Sequence, residues 1–377
     1  YHERGNLMNG EEIFKDIVSG NNDTILGDVA RKGLGWLSKA YEKGVTLRND
    51  KFDAGKGVTR VNVPVISVGN ITEGGTGKTP MVRFICDALI KQGKHPAVLS
   101  RGYRAEDNKK NIVISNNGEM LVEPSISGDE AWLLGKVLPH TGVVIGRERV
   151  ALAHIAINEL GADILVMDDG FQHRALGRDK DIVLLDASNT FGYDYVLPRG
   201  LLREPLEGLK RASIIVLTKV DQVTSGVIAS IKKRLQQLVP GDPVFETTHM
   251  PQRVCTLEEW TNGEEGRPVD AYINQPIMAC SGIGNPKSFE LTLKGIGYDV
   301  VHMLSFGDHH EFSNDDVSDM WKMAFAKQAQ AVIITEKDAV KLSQLRAIDD
   351  FNLPIYVLCI GIEFISNERD FIELLHN

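Results

Sequence analysis

The chain is poor in cysteine. Its 377 residues hold four, Cys86, Cys255, Cys280 and Cys359, scattered and without metal-ligand spacing. That pattern excludes a disulfide framework and fits small buried side chains in a reducing compartment. Long apolar runs are missing too. No stretch of about eighteen uninterrupted apolar residues occurs, so no spanning helix is expected, and nothing near the N-terminus resembles a signal peptide. Excess positive charge is absent. A net charge of −9 argues against a general nucleic-acid binder. There is no internal repeat and no low-complexity tract. The first residue is Tyr1 rather than methionine, which leaves the natural start open between an upstream point and Met8. The expected location is the cytoplasm, or the cytoplasmic side of a membrane.

What is present is ordinary globular composition, 42% hydrophobic and 25% charged, with length for about two domains. The most informative stretch is Val68–Pro80, VGNITEGGTGKTP. An apolar run precedes it and a helical pattern, Met81–Lys91, follows. A strand, a glycine-rich turn and a helix N-terminus make an anion site, because backbone N–H groups converge on it and the helix dipole adds positive potential. Thr72, Glu73, Gly74, Gly75, Thr76, Gly77, Lys78 and Thr79 form the expected nucleotide cradle. Lys78 reaches toward β- and γ-phosphates, and the Thr79 hydroxyl suits Mg²⁺. Thr72 stands where the general pattern has glycine. The plain alternative is a glycine-rich turn without ligand, which Gly-Lys-Thr at a strand-to-helix junction disfavours.

Elsewhere, apolar runs alternate with helical patterns: His95–Ser100, Asn111–Ser115, Val143–Ile145, Ile164–Met167, Ile182–Leu185 and Ile214–Leu217 read as strands. This predicts an α/β fold with a P-loop NTPase-like, mostly parallel sheet flanked by helices. Pro240–Pro251 and Glu264–Pro268 read as looser linkers, and a smaller C-terminal α/β lobe follows. The division expected is 1–50, an N-terminal extension with an amphipathic helix; 51–245, the nucleotide-binding core; and 246–377, the smaller lobe.

Polar residues gather after the strand ends, where open α/β sheets bind ligands. Asp168-Asp169 at one such end suits Mg²⁺, which prefers oxygen ligands; a capped turn is the alternative. His173 either faces the same cleft or caps the turn. In Arg199–Pro205, RGLLREP, Arg203 can offset phosphoryl charge and Glu204 can complete a metal shell, although spacing alone does not separate them from solvated charges. Asp129, in SGDE, is either a helix cap or a base. Asp308-His309-His310 is either a metal pair or an Asp/His dyad closing over the nucleotide. Ile214–Asp221, IIVLTKVD, resembles the guanine-reading motif of GTPases, and Ile333–Asp338, IITEKD, is a looser echo. Comparing ATP with GTP in a turnover assay separates an ATP-using enzyme from a GTPase. A nucleotide-switched binding module is a third reading.

In order along the chain, VGNITEGGTGKTP, SRGYR, SGDE, DDGFQH, LPRGLLREP, TKVD, FGDHHEF and TEKDAVKL resemble the tetraacyldisaccharide 4′-kinase (lipid A 4′-kinase) family, from about Ala40 to the C-terminus. The resemblance implies transfer of the γ-phosphate of ATP to the 4′-hydroxyl of a tetraacylated glucosamine disaccharide 1-phosphate, at the cytoplasmic face of the inner membrane. It further implies Lys78 and Thr79 as the phosphate-loop pair, with Asp168, Asp169 and Glu204 near Mg²⁺. Asp129 is implied as catalytic base, His309 as the histidine that tunes it, and Arg203 and His173 as further active-site residues. Gly307 departs from the family's usual proline, and the segment before about Leu37 is longer and more polar than in a compact member. Ile25–Val45 reads as a helix with interleaved lysines and arginines. Periodicity alone favours packing on its own domain with Trp36 buried; a lipid acceptor shifts the expectation to contact with a membrane interface.

Overall fold

The structure, a computed structural model, describes residues 10–20, 24–102, 110–308 and 310–375. Among the described residues thirteen strands form one sheet. They are β1 (Val65–Asn70), β2 (Pro96–Ser100), β3 (Ile112–Asn116), β4 (Glu119–Met120), β5 (Gly142–Ile145), β6 (Ile164–Asp168) and β7 (Lys180–Asp186). They continue as β8 (Ile214–Thr218), β9 (Val244–Thr256), β10 (Pro276–Ser281), β11 (Asp299–Ser305), β12 (Ala331–Thr335) and β13 (Ile355–Phe364). The spatial order is β11-β10-β12-β13-β9-β8-β7-β1-β6-β2-β5-β3-β4.

The expected mostly parallel sheet is observed. β1 lies between β6 and β7, parallel to both, and its six residues are all buried. Such two-sided burial explains why the central strands read as continuous apolar runs rather than alternating ones. The parallel register Val68↔Asp168 brings the acid at the tip of β6 beside the end of β1, where the glycine-rich loop begins.

One expectation is corrected. Pro240–Pro251 is not a linker: β9 runs from Val244 to Thr256. Its first residues pair in parallel with β8, from Ile215↔Val244 to Leu217↔Glu246, and the rest pairs antiparallel with β13, from Phe364↔Thr247 to Tyr356↔Thr256. Proline lacks a donor and normally interrupts a ladder, but Pro251 pairs with Ile360 beside the register shift between Cys359 and Ile360, the kind of irregularity where proline is tolerated. Through β9 and β13 the strands from both halves of the sequence belong to one sheet. The end of the chain returns to the helix that follows β1. Phe364 and Phe371 pack with Phe245 and with the helix Lys78–Lys91 in one core. Fully burying a phenylalanine side chain contributes about 1.5–3 kcal/mol.

All four cysteines are free and buried, as expected. The N-terminal helix is longer than predicted, Ile25–Asp53, and is capped by Thr24, whose hydroxyl accepts from Gly27 N. Trp36 is not buried but 77% exposed, with Val29, Leu37 and Leu47 also exposed. The packed face is a different one, Ser38, Val45 and Asn49, at helical spacing. Among the described residues no helix is long and apolar enough to cross a membrane.

Candidate active site

The loop between β1 and the helix Lys78–Lys91 shows why glycine is needed there. Gly74 and Gly77 have φ of +115° and +86°, backbone that L side chains avoid. A Cβ at Gly77 would lie 2.7 Å from His249 Nε2, whereas Gly74 and Gly75 face open space. The first-turn N–H groups of the helix, which lack intrahelical partners, rim that space. Pro80 falls in this first turn, where a missing N–H removes no helical bond. Thr72 is buried, and its backbone bridges antiparallel to Leu202. Glu73 N donates to Leu201 O at 2.8 Å and Arg203 N to Ile71 O at 2.7 Å. The loop entry is thus short extended pairing rather than a tight turn, which a β-branched threonine suits better than glycine.

The TKVD segment braces this loop from below. Thr218 Oγ1 donates to Thr76 O at 3.0 Å, and Lys219 Nζ donates to Gly75 O at 2.7 Å while pairing with Asp186. Asp221, the residue that would read a guanine, is exposed.

The two acids after β6 sit in different environments. Asp168 is buried and accepts from Ser100 Oγ at 2.9 Å. Burial, then the neighbouring charges of Asp169 and Glu130, push its carboxyl up to about 6. For Asp169 burial also pushes upward, but Lys78 and Arg203 outweigh it and hold the group down to about 2. Lys78 Nζ is 3.5 Å from Asp169 Oδ1. Arg203 Nη1 donates to both Asp169 oxygens, at 2.8 and 2.9 Å, while its Nε and Nη2 hold Glu73 at 3.1 and 3.2 Å. Among the described residues no group of three or more His, Cys, Asp and Glu could hold a metal. Two adjacent carboxylates facing a phosphate-sized cradle instead fit a hard divalent cation that completes its shell with phosphate oxygens and water.

Asp129 opens the helix Asp129–Val137, after Gly128 turns the chain at φ +81°. It is 9% exposed, and Lys341 Nζ lies 3.0 Å from its Oδ2. Lys337 Nζ bridges Glu130 Oε1 at 3.1 Å and Asp308 Oδ1 at 3.3 Å. Glu130, next to Asp129, and Asp308 are therefore brought together through Lys337. His309 lies outside the described residues, as do Tyr103 and Arg104 of SRGYR.

Glu204 is placed differently from the metal-shell expectation. It is fully buried, and its oxygens accept from Asn49 Nδ2 (3.1 Å), Gln172 Nε2 (3.0 Å) and Arg211 Nη2 (2.7 Å). These bonds tie the REP segment to the N-terminal helix, which also holds this loop through Ser38 Oγ to Val196 O at 2.8 Å and Tyr41 OH to Arg203 O at 2.9 Å. His173 is half-buried, and its Nε2 is buried without a hydrogen-bond partner. Burial, then Arg149, Arg178, Arg101 and Arg48, push its imidazole down to about 4, so it is neutral near pH 7. Arg149, buried at 2% exposure, donates to Gly146 O at 2.6 Å; burial, only partly offset by Asp168 and Asp169, pushes its guanidinium down to about 10.

Sequence reading missed Arg149, His249, Ser100, Lys337 and Lys341. Only the lysines carried a signal, in TEKDAVKL: two cations one helical turn apart behind a Thr-x-x-Asp cap.

Comparisons with known proteins find relatives over most of the chain. The family model for tetraacyldisaccharide-1-P 4′-kinase matches residues 31–377. A tetraacyldisaccharide 4′-kinase from Anaeromyxobacter sp. (strain Fw109-5) is 40% identical over 82% of this chain and 82% of its own length. One from Halothermothrix orenii is 37% identical over 94% of each. The crystal structure of an LpxK from Aquifex aeolicus in complex with ATP superimposes with a TM-score of 0.73 at 30% identity, covering 92% of this chain and 98% of that one. The chain belongs to the tetraacyldisaccharide 4′-kinase family.

Proposed function

We propose that the protein is an ATP- and Mg²⁺-dependent kinase of lipid A biosynthesis. It moves the γ-phosphate of ATP to the 4′-hydroxyl of a tetraacylated glucosamine disaccharide 1-phosphate. Family membership supports the reaction, and the ATP in the Aquifex aeolicus relative supports the donor. The observation that carries the reading is Lys78 Nζ at 3.5 Å from Asp169 Oδ1, beside the open glycine cradle. A phosphate-binding cation and a cation-binding carboxylate meet there.

The loop amides and Lys78 hold the triphosphate, so that catalysis is mainly positioning and charge stabilisation. Thr79, Asp168 and Asp169 would hold Mg²⁺, which supplies charge neutralisation on the phosphates. Asp129 takes the proton of the acceptor hydroxyl. The hydroxyl oxygen then bonds to the γ-phosphorus as the bond to the bridging oxygen breaks, and ADP leaves with that electron pair. General-base help of this kind contributes about 10²–10⁴-fold. His309 tunes Asp129, Arg203 steadies the acid pair and offsets phosphate charge, and neutral His173 adds a polar group beside the acids. Glu204 acts on the site at one remove, through Gln172.

Residues 51–245 form the nucleotide half, joined by the returning C-terminal end, and the rest of 246–377 forms the smaller lobe, which closes on substrate. The acceptor is a lipid, and the helix Ile25–Asp53 supports peripheral contact with the cytoplasmic face of the inner membrane. It exposes Val29, Trp36, Leu37 and Leu47 among basic residues while its opposite face holds the active-site loop. A groove of about 540 Å³ lined by Trp36, Lys39, Tyr195 and Leu206 opens beside it. The test is transfer of radiolabelled γ-phosphate to the acylated disaccharide, with ATP and GTP compared. Labelled lipid from ATP supports the reading, whereas turnover with GTP alone would contradict it.

A further inference from the structure

TEKDAVKL is a motif whose conspicuous charges the reaction above leaves unused. Its helix, Glu336–Leu342, follows β12 directly. Thr335 caps it, exchanging hydrogen bonds with Asp338 at 2.6 and 3.2 Å, and Asp338 Oδ1 accepts from Gly282 N at 3.0 Å. Asp338 is fully buried, so this anchor fixes the helix against the end of β10. Lys337 and Lys341, four residues apart, then lie on one face of a firmly held helix.

Both lysines cross to the first lobe. Lys341 Nζ sits 3.0 Å from Asp129 Oδ2 and donates to His310 O at 2.9 Å. Lys337 Nζ spans Glu130 and Asp308. Lys341 and Asp129 are 14% and 9% exposed, so their attraction is screened less than at a surface. Holding a carboxylate from one lobe and a loop carbonyl from the other, a single ammonium fixes where the lobes meet.

We propose that Lys341 is a positioning residue for Asp129, holding its carboxylate in place and charged at the junction of the two lobes. The proposal rests on the reading of Asp129 as the base. Among the described residues, the charges around Asp129 include Glu130 on its own helix, Lys337 and Lys341 on the facing helix, and Asp308 reached through Lys337. Lys341 is in direct contact with it. An opposite charge at this range lowers a carboxyl pKa by about 1–3 units, so removing it moves the acid limb of the rate profile to higher pH.

The experiment measures kcat and KM for ATP and for acceptor from pH 5 to 9 in the full-length wild type, K341M, K341R and D129N. K341M should lower kcat by about tenfold to a hundredfold with KM for ATP unchanged, because a misplaced base costs rate rather than nucleotide binding. Its acid limb should rise by about one unit. K341R keeps the charge and should keep the wild-type limb with a smaller loss of rate. Melting temperatures show whether each variant is folded; should K341M not fold, the K341R profile decides alone, and an acid limb shifted as far as one unit there would overturn the proposal. D129N losing activity while K341M keeps the wild-type kcat and limb overturns the role of Lys341. D129N retaining turnover instead overturns the reading of Asp129 and the proposal with it.

Discussion

Arg203 grips Asp169 with one guanidinium nitrogen, 2.8 Å from one carboxylate oxygen and 2.9 Å from the other, and uses the rest of its fork on Glu73. One side chain therefore links the entry of the phosphate loop to an acid that faces the cradle. R203A should lower turnover about 10²–10³-fold, the scale seen when one charge-stabilising donor is lost. R203K should recover little, since an ammonium cannot span both partners with the same geometry. Steady-state kinetics of the two variants check this; full rescue by lysine contradicts it.

Gly77 is required twice over, by its φ of +86° and by the 2.7 Å approach of His249 Nε2 to its missing Cβ. G77A should weaken nucleotide binding at least tenfold, with backbone strain of about 1–3 kcal/mol as one source. H249A in the G77A background should restore part of the affinity by relieving the contact and leaving the strain. Calorimetric titration with ATP measures both. Equal affinity of G77A and the wild type would show that the loop tolerates what its geometry forbids.

The pH dependence follows from the acid pair. Asp168, pushed up to about 6 chiefly by burial, carries a proton below that pH and loses it above. Asp169, held down to about 2, stays ionised throughout the physiological range. Metal-dependent nucleotide affinity should therefore be flat above about pH 7 and fall as pH drops through about 6, where the protonated acid no longer attracts a cation. Calorimetry with MgATP from pH 5 to 8 tests this, and D168N should abolish the dependence. Affinity constant across that range in the wild type contradicts it.

Glu204 holds three donors in a fully buried setting. E204A strands Arg211 without its ion-pair partner and should cost about 3–5 kcal/mol of stability. E204Q keeps hydrogen-bonding capacity and should cost less. Denaturant unfolding followed at the N-terminal helix reads this directly, and an unchanged midpoint for E204A would exclude a structural role.

Legibility of the fold in the sequence depended on locality. The phosphate loop and the Asp168-Asp169 tip were readable because strand, glycines and helix start are contiguous in the chain. β9 was not, since Pro240, Gly241 and Pro243 stand just before it and Pro251 interrupts it, beside a register shift that only the pairing with β13 reveals. The exposure of Trp36 was hidden for a similar reason. The apolar stripe of its helix gives a direction, but Ser38, Tyr41 and Asn49, bonded to residues more than 150 positions away, decide which face is buried. Lys341 against Asp129 and His249 against Gly77 are likewise contacts between distant segments that no spacing rule reaches.

The central claim is tested most directly by incubating the purified protein with ATP labelled in its γ-phosphate, Mg²⁺ and the tetraacylated disaccharide 1-phosphate. The lipid product's mass and site of phosphorylation are then read. The expected result is labelled lipid carrying one added phosphate at the 4′ position, with D129A losing turnover by orders of magnitude while its ATP affinity stays near that of the wild type. No labelled lipid from the wild type would contradict the account.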